Sequence, residues 1–286
     1  MDAILEVEHV TKNYGEFAIK DLNFTLPKGS IMGFVGENGA GKTTTIKLIL
    51  NLIKKDNGSI QLFGLDHIKH EKKIKEQIGV VFDERYFHDN LKVGDISKIL
   101  DKVFSNWDEE LYNQYINKFN LPRNKTVKEF SKGMKMKLSI ATALSHHPKL
   151  LILDEATSGL DPVVRNEILD VFLDFIQDEE KSILLSSHIT SDLEKVADYI
   201  TYIHNGKIIF SESKDELMYN YGLLKCGKGE FEDIDLEDII GYRKGQFGYE
   251  VLVKNKEQMH RKYPKAVIDT TNIEEIMLFH VRGEQK

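Results

Sequence analysis

A glycine-rich run at residues 36–43 has the residue types that bind polyphosphate. It reads Gly36-Glu-Asn-Gly-Ala-Gly-Lys42-Thr43 and fits the pattern G-x-x-x-x-G-K-[ST]. An apolar segment, Ile31–Val35, precedes it, and a helical pattern begins at its lysine. Glycines let backbone N–H groups face an anion, and the positive end of the following helix points to the same place. The run therefore predicts a phosphate site in which the Lys42 ammonium reaches the β- and γ-phosphates.

Two adjacent carboxylates, Asp154 and Glu155, follow the apolar run 150–153. Because α/β proteins place ligand sites at the carboxyl ends of parallel strands, both side chains are expected beside the bound phosphates. Mg²⁺ keeps several waters and takes few protein oxygens. We therefore expect Thr43 to bind it through the hydroxyl and Asp154 to hold it through a water. A carboxylate within hydrogen-bond reach of a water can act as a general base, so Glu155 is expected to activate the attacking water.

Alternating β-rich and helical patterns extend to about residue 220, as in α/β proteins with a largely parallel sheet. Buried strands are predicted at 31–35, 78–82, 150–153 and 183–186, and helices at 42–53, 133–145 and 162–180. Earlier β-rich runs at 5–10 and 22–26 predict an additional antiparallel sheet. Helical patterns prevail over residues 84–130, which predicts a helical insertion between strands of the parallel sheet.

A change of pattern after about residue 217 predicts a second, smaller domain. Glycine-rich, charged sequence gives way to short strands at 249–253 and 266–268 and to a helix at 273–279. We expect an α/β domain at 1–220, with a helical subdomain at about 84–145, and a small α+β domain at 221–286. The length of 286 residues allows two units at about 150 residues each.

Composition excludes several broad classes of protein. Hydrophobic residues make up 41% of the chain, which favours a folded globular protein over a disordered one. Lys and Arg number 39 against 46 Asp and Glu, a net charge of −7. No nucleic-acid partner is therefore expected, because neutralising phosphates needs a cationic surface. One cysteine, an acidic start and short apolar runs favour a cytoplasmic chain without a spanning segment.

Four further motifs occur in a defined order around the phosphate loop. They are Tyr14 in Thr-Lys-Asn-Tyr-Gly, the run Phe130-Ser131-Lys132-Gly133-Met134 before a helical pattern, the run Ser158-Gly-Leu-Asp161, and His188 after Leu-Leu-Ser-Ser. In this order the motifs resemble the ATP-binding subunit of an ABC transporter, over about residues 3–220. The resemblance implies an α/β P-loop NTPase fold, the ABC cassette. That cassette has a RecA-like parallel core, an antiparallel β subdomain and a helical subdomain.

The resemblance also implies a role for each motif. Tyr14 would stack on adenine, and residues 130–134 would form a signature whose contacts reach the γ-phosphate held by a second cassette. His188 would sense or stabilise the γ-phosphate, and Asp161 would belong to the D-loop, residues 158–161. The implied ATP-binding residues are Tyr14, Gly36, Asn38, Gly39, Ala40, Gly41, Lys42, Thr43 and Thr44, and the signature residues in trans are Ser131, Gly133 and Met134. A helix N-terminus with a hydroxyl is an anion site, so closure of the dimer would depend on the γ-phosphate.

The sequence departs from the family pattern at two motifs. Lys132 stands where the signature has its first glycine, and Met134 stands where it has glutamine. The family also has a glutamine about where Asp83 lies, with Glu84 as the alternative occupant of that position. Asp83 retains an oxygen for Mg²⁺, although the amide donor is lost. A signature with Ser-Lys-Gly-Met and an acidic residue near position 83 resemble those of bacterial ABC-2 exporters, which favours export over import.

These motifs together predict a Mg²⁺-dependent ATPase subunit that dimerises around two ATP molecules. It would drive export through a separate membrane-spanning partner, from a peripheral position on the inner face of the cell membrane. A homodimer and a heterodimer both fit, and the role of residues 221–286 stays open. The alternatives are a soluble ABC-type ATPase acting on DNA or ribosomes and a nucleotide-gated regulator. The acidic balance counts against the first, and Glu155 with His188 against the second.

Overall fold

The computed structural model describes residues 2–83, 87–246 and 248–283, and the chain divides into two compact units. The first unit ends at Ile208 and the second begins at Ile209. Residues 209–220, which the sequence analysis places in the larger domain, pack with the rest of the second unit. Glu212 accepts from Lys254 at 2.8 Å, and the Tyr219 hydroxyl donates to Glu257 at 2.6 Å. These contacts explain why the division lies before residue 220.

Helices and strands alternate through the larger unit. The elements are β1 Ala3–Asn13, β2 Ala18–Pro27, β3 Ile31–Val35, α1 Lys42–Ile49, β4 Asn57–Leu62, β5 Leu65–Asp66, α2 Glu71–Lys75, β6 Ile78–Phe82, α3 Val93–Leu100, α4 Glu109–Lys118, α5 Lys132–Leu144, β7 Leu150–Asp154, α6 Pro162–Phe175, β8 Ser182–Ser187, α7 Thr190–Val196 and β9 Tyr199–His204. The next strand, β10 Lys207–Ser213, crosses the division after residue 208. The four predicted buried strands are confirmed as β3, β6, β7 and β8. The predicted early β-rich runs form β1 and β2.

Five strands in the order β9-β3-β8-β7-β6 form the centre of this unit, and β10 extends the sheet next to β9. The predicted strands β3, β6, β7 and β8 are joined by parallel pairing, as expected of a largely parallel sheet, and β9, which was not predicted, pairs in parallel with β3. Strands β3, β7 and β8 are buried along their whole length. In the register of the sheet, Asp154 lies opposite Phe82 on one side and Ser186 on the other. The ends of β3, β6, β7 and β8 therefore bring the loops after residues 35, 82, 154 and 187 to one edge.

A second, antiparallel sheet has the order β2-β1-β4-β5. Its apolar side chains share one core with the parallel sheet, and the rings of Phe24 and Phe34 lie 5.4 Å apart. Strands β4 and β5 were not predicted, because β4 begins with the turn-type residues Asn-Gly-Ser and carries only two buried apolar side chains, Ile60 and Leu62.

Helices α3, α4 and α5 lie between β6 and β7 in the chain, where the sequence predicts the helical segment. Two predicted helices are too long: α1 ends at Ile49 rather than at 53, and α6 ends at Phe175 rather than at 180. Just beyond α1, Asn51 has a left-handed backbone with φ 53°, a conformation common after helix C-termini.

The smaller unit is α+β, as predicted. Its elements are α8 Lys214–Asn220, β11 Gly222–Cys226, α9 Lys228–Glu232, β12 Gly241–Lys244, β13 Tyr249–Val253, α10 Lys256–Lys262, β14 Val267–Asp269 and α11 Ile273–Arg282. The strands form an antiparallel sheet in the order β12-β13-β11-β14. A core of its own includes Leu224, Val251 and the stacked rings of Phe231 and Tyr249, whose centroids lie 4.0 Å apart. Within the described ranges, helices with the length and apolar character of a membrane span are absent.

Candidate active site

The glycine-rich run forms the loop that leads from β3 into α1, as the phosphate-site pattern requires. A methyl group at Gly36 would lie 2.4 Å from the backbone oxygen of Ile203 in β9, so no other side chain fits there. Gly41 has φ 116°, a conformation that disfavours side chains, and caps α1 without a side-chain hydrogen bond. The first N–H groups of α1 are therefore available to an anion at this loop.

Lys42 is buried at the start of α1, with 6% of its side chain exposed. Its ammonium donates to the backbone oxygens of Gly36 at 2.7 Å and Glu37 at 3.2 Å, and lies 3.2 Å from Glu155 Oε1. A buried ammonium needs such oxygen partners, because desolvating an unpaired charge is costly. The lysine is thus held inside the loop by three oxygens that phosphate oxygens can replace.

Asp154 is fixed at the carboxyl end of β7 by two hydroxyl groups. Thr43 Oγ1 donates to its Oδ2 at 2.7 Å, and Ser186 Oγ donates to its Oδ1 at 2.6 Å. Both Asp154 and Ser186 are buried. Sequence reasoning did not select Ser186, although a serine in an otherwise apolar buried strand is a signal that it has a specific partner.

Glu155 divides its two carboxylate oxygens between different neighbours. Oε2 lies 2.6 Å from His188 Nδ1; since a carboxylate only accepts, Nδ1 carries the proton and donates. Within the described part of the chain, Oε1 has no hydrogen-bond partner and lies 3.2 Å from the Lys42 ammonium. The backbone of Glu155 is left-handed, with φ 54°, a strained state that is concentrated at functional sites. This arrangement leaves one carboxylate oxygen for a water.

The signature residues lie at the start of α5. Ser131 caps this helix, accepting from the N–H of Met134 at 3.2 Å, and is exposed. Gly133 faces α6 closely, since a methyl group there would lie 3.2 Å from Val164. In the described ranges, neither Ser131 nor Met134 has a hydrogen bond or ion pair to the cluster of Lys42, Thr43, Asp154, Glu155 and His188.

The other expected residues are placed as follows. Asp161 caps α6 by accepting from the N–H groups of Val163 and Val164 at 3.1 Å each. Tyr14 is 52% exposed, and the Lys12 ammonium lies 5.6 Å from its ring centroid. Asn38, Gly39 and Thr43 are exposed, Thr44 is half-buried, and Ala40 is buried.

Asp83, expected at the magnesium site, has a different partner in the structure. Its Oδ1 lies 2.9 Å from the ammonium of Lys132 in the signature. Both residues depart from the family pattern, and their opposite charges meet although the chain separates them widely. Glu84, the alternative at this position, lies outside the described residues.

Sequence comparison finds relatives along most of the chain. The profile of the ABC transporter family matches residues 19–158. The bacitracin transport ATP-binding protein BcrA of Bacillus licheniformis is 37% identical over 212 residues, 73% of this chain and 69% of that protein. The lantibiotic transport ATP-binding protein SrtF of Streptococcus pyogenes is 36% identical over 226 residues, 76% of this chain and 96% of that protein. The ABC transporter ATP-binding protein YtrB of Bacillus subtilis is 28% identical over 294 residues, 99% of this chain and 100% of that protein.

Solved structures show the same similarity. An ATP-binding subunit of an ABC transporter has a TM-score of 0.67 and 26% identity, covering 75% of this chain and 91% of its own. CbiO1 from Clostridium perfringens, part of the ABC transporter complex CbiONQ, has a TM-score of 0.65 and 25% identity, covering 76% and 91%.

Proposed function

The chain belongs to the ATP-binding proteins of ABC transporters, and we propose that it hydrolyses ATP to power export through a separate membrane-spanning partner. The contacts of Glu155 with Lys42 and with His188 support this proposal. Phosphoryl transfer needs positioning and charge stabilisation rather than a covalent nucleophile. These three side chains, beside the loop, supply a cation for the phosphates, a carboxylate for the water and an imidazole that orients the carboxylate.

The loop after β3 would bind the triphosphate. Its N–H groups and the N-terminus of α1 face the β- and γ-phosphates, and Lys42 exchanges its contacts with the loop oxygens and Glu155 for phosphate oxygens. The exposed ring of Tyr14 is free to stack on adenine, because more than half of its surface is open to solvent.

Mg²⁺ fits the pair formed by Thr43 and Asp154. Their side chains place a hydroxyl and a carboxylate oxygen 2.7 Å apart, the oxygen donors that this ion prefers. Groups of three or more His, Cys, Asp or Glu suited to a metal are absent from the described residues, but Mg²⁺ on a nucleotide needs only one or two protein ligands. When bound, it would neutralise charge on the β- and γ-phosphate oxygens. Asp83 lies outside this pair, because its carboxylate contacts the Lys132 ammonium instead.

Glu155 would position the attacking water. Oε1 is buried and has no hydrogen-bond partner among the described residues, so it is the oxygen left for the attacking water, while the N–H of His188 holds Oε2 and fixes the carboxylate. Once the phosphates draw Lys42 away, Oε1 loses its nearby cation and is left to accept a hydrogen bond from the water. Donation from His188 thus sets the direction of Glu155, and the water is aligned to the γ-phosphate.

A second cassette would complete each site. Ser131 and the N-terminus of α5 are exposed, so they can meet the γ-phosphate bound to a partner chain. The γ-phosphate then joins the two chains, and its hydrolysis removes that link. This is a ligand-controlled switch between open and closed states, because the triphosphate binds the closed state more tightly.

The membrane-spanning partner would place the protein on the inner face of the cell membrane. Two relatives are named for bacitracin transport and lantibiotic transport. We therefore expect the exported substrate to belong to compounds of that kind, carried in the spanning partner rather than in this chain.

Replacing Glu155 with Gln tests the proposal. The Glu155→Gln protein should bind ATP with an affinity close to that of the wild type, since the loop and Lys42 are intact. Its release of phosphate should fall by at least about 100-fold, the effect of removing a general base. Glu179 is an exposed residue after α6, and Glu179→Gln is the matched control. This variant should release phosphate at the wild-type rate. Wild-type phosphate release by Glu155→Gln would remove Glu155 from the reaction.

A further inference from the structure

Two departures from the family pattern meet in the structure as one ion pair. The Lys132 ammonium lies 2.9 Å from Asp83 Oδ1, with 49% of the lysine side chain and 43% of the aspartate side chain exposed. A lysine in the signature and an acid after β6 look unrelated in the sequence. Their contact indicates that, in a chain that has not dimerised, the two charges are partners of each other.

The position of Lys132 places this ion pair next to segments that are expected to surround the nucleotide. Lys132 follows Ser131 directly and is the first residue of α5. Its ammonium also lies next to the D-loop, since a methyl group at Gly159 would be 3.2 Å from it. Asp83 follows β6, whose last residue is paired with Asp154 in the register of the sheet. Three segments that would surround bound nucleotide therefore converge on one cation.

The ion pair between Lys132 and Asp83 is weak enough for a phosphate to replace Asp83. Ion pairs between solvent-exposed side chains contribute little to stability, because both charges remain hydrated. A γ-phosphate carries more charge than one carboxylate and forms stronger, charge-assisted hydrogen bonds with an ammonium. A phosphate brought close to Lys132 would therefore displace Asp83.

We propose that Lys132 is a further triphosphate-binding residue that acts across the dimer. In a chain that has not dimerised, Asp83 holds the Lys132 ammonium. This inference rests on the proposed function, in which Ser131 faces the nucleotide of a second cassette. When two chains close around ATP, the Lys132 ammonium leaves Asp83 and contacts the phosphates bound by the partner. Asp83 thus competes with the triphosphate and weakens dimer formation.

The test measures ATP-dependent dimerisation in the Glu155→Gln background, which prevents turnover. The dimer dissociation constant is determined by analytical ultracentrifugation at saturating Mg·ATP. Lys132→Met should weaken the dimer by about tenfold or more, the value of a lost charge-assisted contact. Lys132→Arg should retain most of the affinity. Asp83→Asn should tighten the dimer by about two- to fivefold, because it removes a weak competing ion pair.

The double variant separates competition from an independent effect of Asp83. If Asp83 acts only through Lys132, the Asp83→Asn change should have no effect once Lys132 is Met. Lys118→Met is the matched control, because Lys118 forms a similarly exposed ion pair with Asp174 at 2.8 Å, and it should leave dimerisation unchanged. A larger effect at low salt than at high salt is expected for the Lys132 contact.

Each contrary result has a distinct meaning. An unchanged dissociation constant in Lys132→Met, or an equal loss in Lys118→Met, overturns the role of Lys132. Tightening by Asp83→Asn that persists in the double variant overturns the competition. Failure of the parent Glu155→Gln protein to dimerise with ATP would show that this chain does not close on a second copy of itself; the inference on Lys132 then falls, whereas the proposed ATPase function is tested separately by phosphate release.

Discussion

At the scale of single residues, the site keeps its charges balanced before nucleotide arrives. Lys42 is buried with backbone oxygens and the Glu155 carboxylate around it, and Glu155 is also held by His188. ATP therefore does not enter an empty cationic pocket, because it must replace oxygens that already contact the lysine. In the proposed function, triphosphate binding and the release of Glu155 toward water are therefore one exchange.

Asp154 is expected to make nucleotide binding depend on Mg²⁺. In the wild type, removing Mg²⁺ with EDTA should weaken ATP binding strongly, because the metal neutralises phosphate charge. In Asp154→Asn the carboxylate charge is lost but the Thr43 hydroxyl remains, so the difference between the affinities with Mg²⁺ and with EDTA should become smaller than in the wild type. Equilibrium dialysis with labelled ATP measures both.

Ser186→Ala provides the control for this prediction. It removes one hydroxyl from Asp154 but keeps the carboxylate charge and the bond from Thr43. The difference between Mg²⁺ and EDTA should therefore persist in Ser186→Ala. Equal metal dependence in Asp154→Asn and the wild type would exclude Asp154 from the metal site.

The sequence predicts those site residues whose roles follow from the residues adjacent to them in the sequence. Lys42 and Thr43 belong to a motif whose spacing already implies its loop, and Asp154 follows a recognisable apolar strand. The partnership of Ser186 with Asp154 depends on the pairing register of β7 and β8, which no local pattern specifies. The contact between Asp83 and Lys132 likewise depends on how α5 is positioned against the end of β6.

At the scale of elements, the phosphate loop is constrained by the strand beside it. Replacing Gly36 with Ala would place a methyl group 2.4 Å from the Ile203 backbone oxygen. We expect Gly36→Ala to lower the free energy of unfolding by about 1–3 kcal/mol, as overpacking does, and to weaken ATP binding. Urea unfolding and a nucleotide-binding assay measure the two effects.

Gly94 in α3 offers the matched comparison, since a methyl group there meets no atom within 4 Å. Gly94→Ala should raise the free energy of unfolding by about 0.5 kcal/mol through its better helix propensity. Opposite signs for the two glycine-to-alanine changes would support the close approach of the loop to β9. Stabilisation by Gly36→Ala would contradict it.

A buried histidine should make the stability of the larger unit depend on pH. His146 follows α5, stacks on Phe104 with ring centroids 4.0 Å apart, and lies 3.1 Å from the backbone oxygen of Ile78. Burial lowers the pKa of His146 below the ordinary value of 6.5. The unfolded chain therefore binds a proton near pH 6.5 that the folded chain does not, so the free energy of unfolding decreases as the pH falls through that range.

His146→Phe isolates this contribution. Between about pH 7.5 and pH 5.5, the wild type should lose more free energy of unfolding than His146→Phe, by at most about 1.4 kcal/mol per pH unit. Urea unfolding at both values measures the difference. Identical pH dependence of the two proteins would show that His146 titrates alike in the folded and unfolded chains.

Element prediction succeeds for the most apolar short runs and misses strands that mix apolar with polar residues, among them β9, which reads Tyr-Ile-Thr-Tyr-Ile-His. Strands β3 and β6 have their predicted bounds, because they are short apolar runs with clear limits. Strands β11 and β12 were not predicted: β12 reads Gly-Tyr-Arg-Lys, and its strand state depends on pairing with β13. Tertiary pairing, rather than local propensity, determines such segments.

At the scale of the whole molecule, each unit has its own hydrophobic core. The larger unit contains every residue of the candidate site, from Tyr14 to His188. ATP chemistry is therefore assigned to residues 1–208, and the smaller unit supplies none of the side chains used in the proposed reaction.

In the proposed cycle, triphosphate is bound between two copies of this cassette or between this cassette and a related one. The most direct measurement is a structure of Glu155→Gln with Mg·ATP, in which the distance from Ser131 Oγ to the nearest γ-phosphate oxygen is read. We predict that this oxygen belongs to the nucleotide on the partner's phosphate loop and lies at about 3 Å, within hydrogen-bond distance. A closed, ATP-loaded assembly with Ser131 more than about 10 Å from every phosphate, beyond the reach of any hydrogen bond, would show that the signature does not bind a partner's nucleotide.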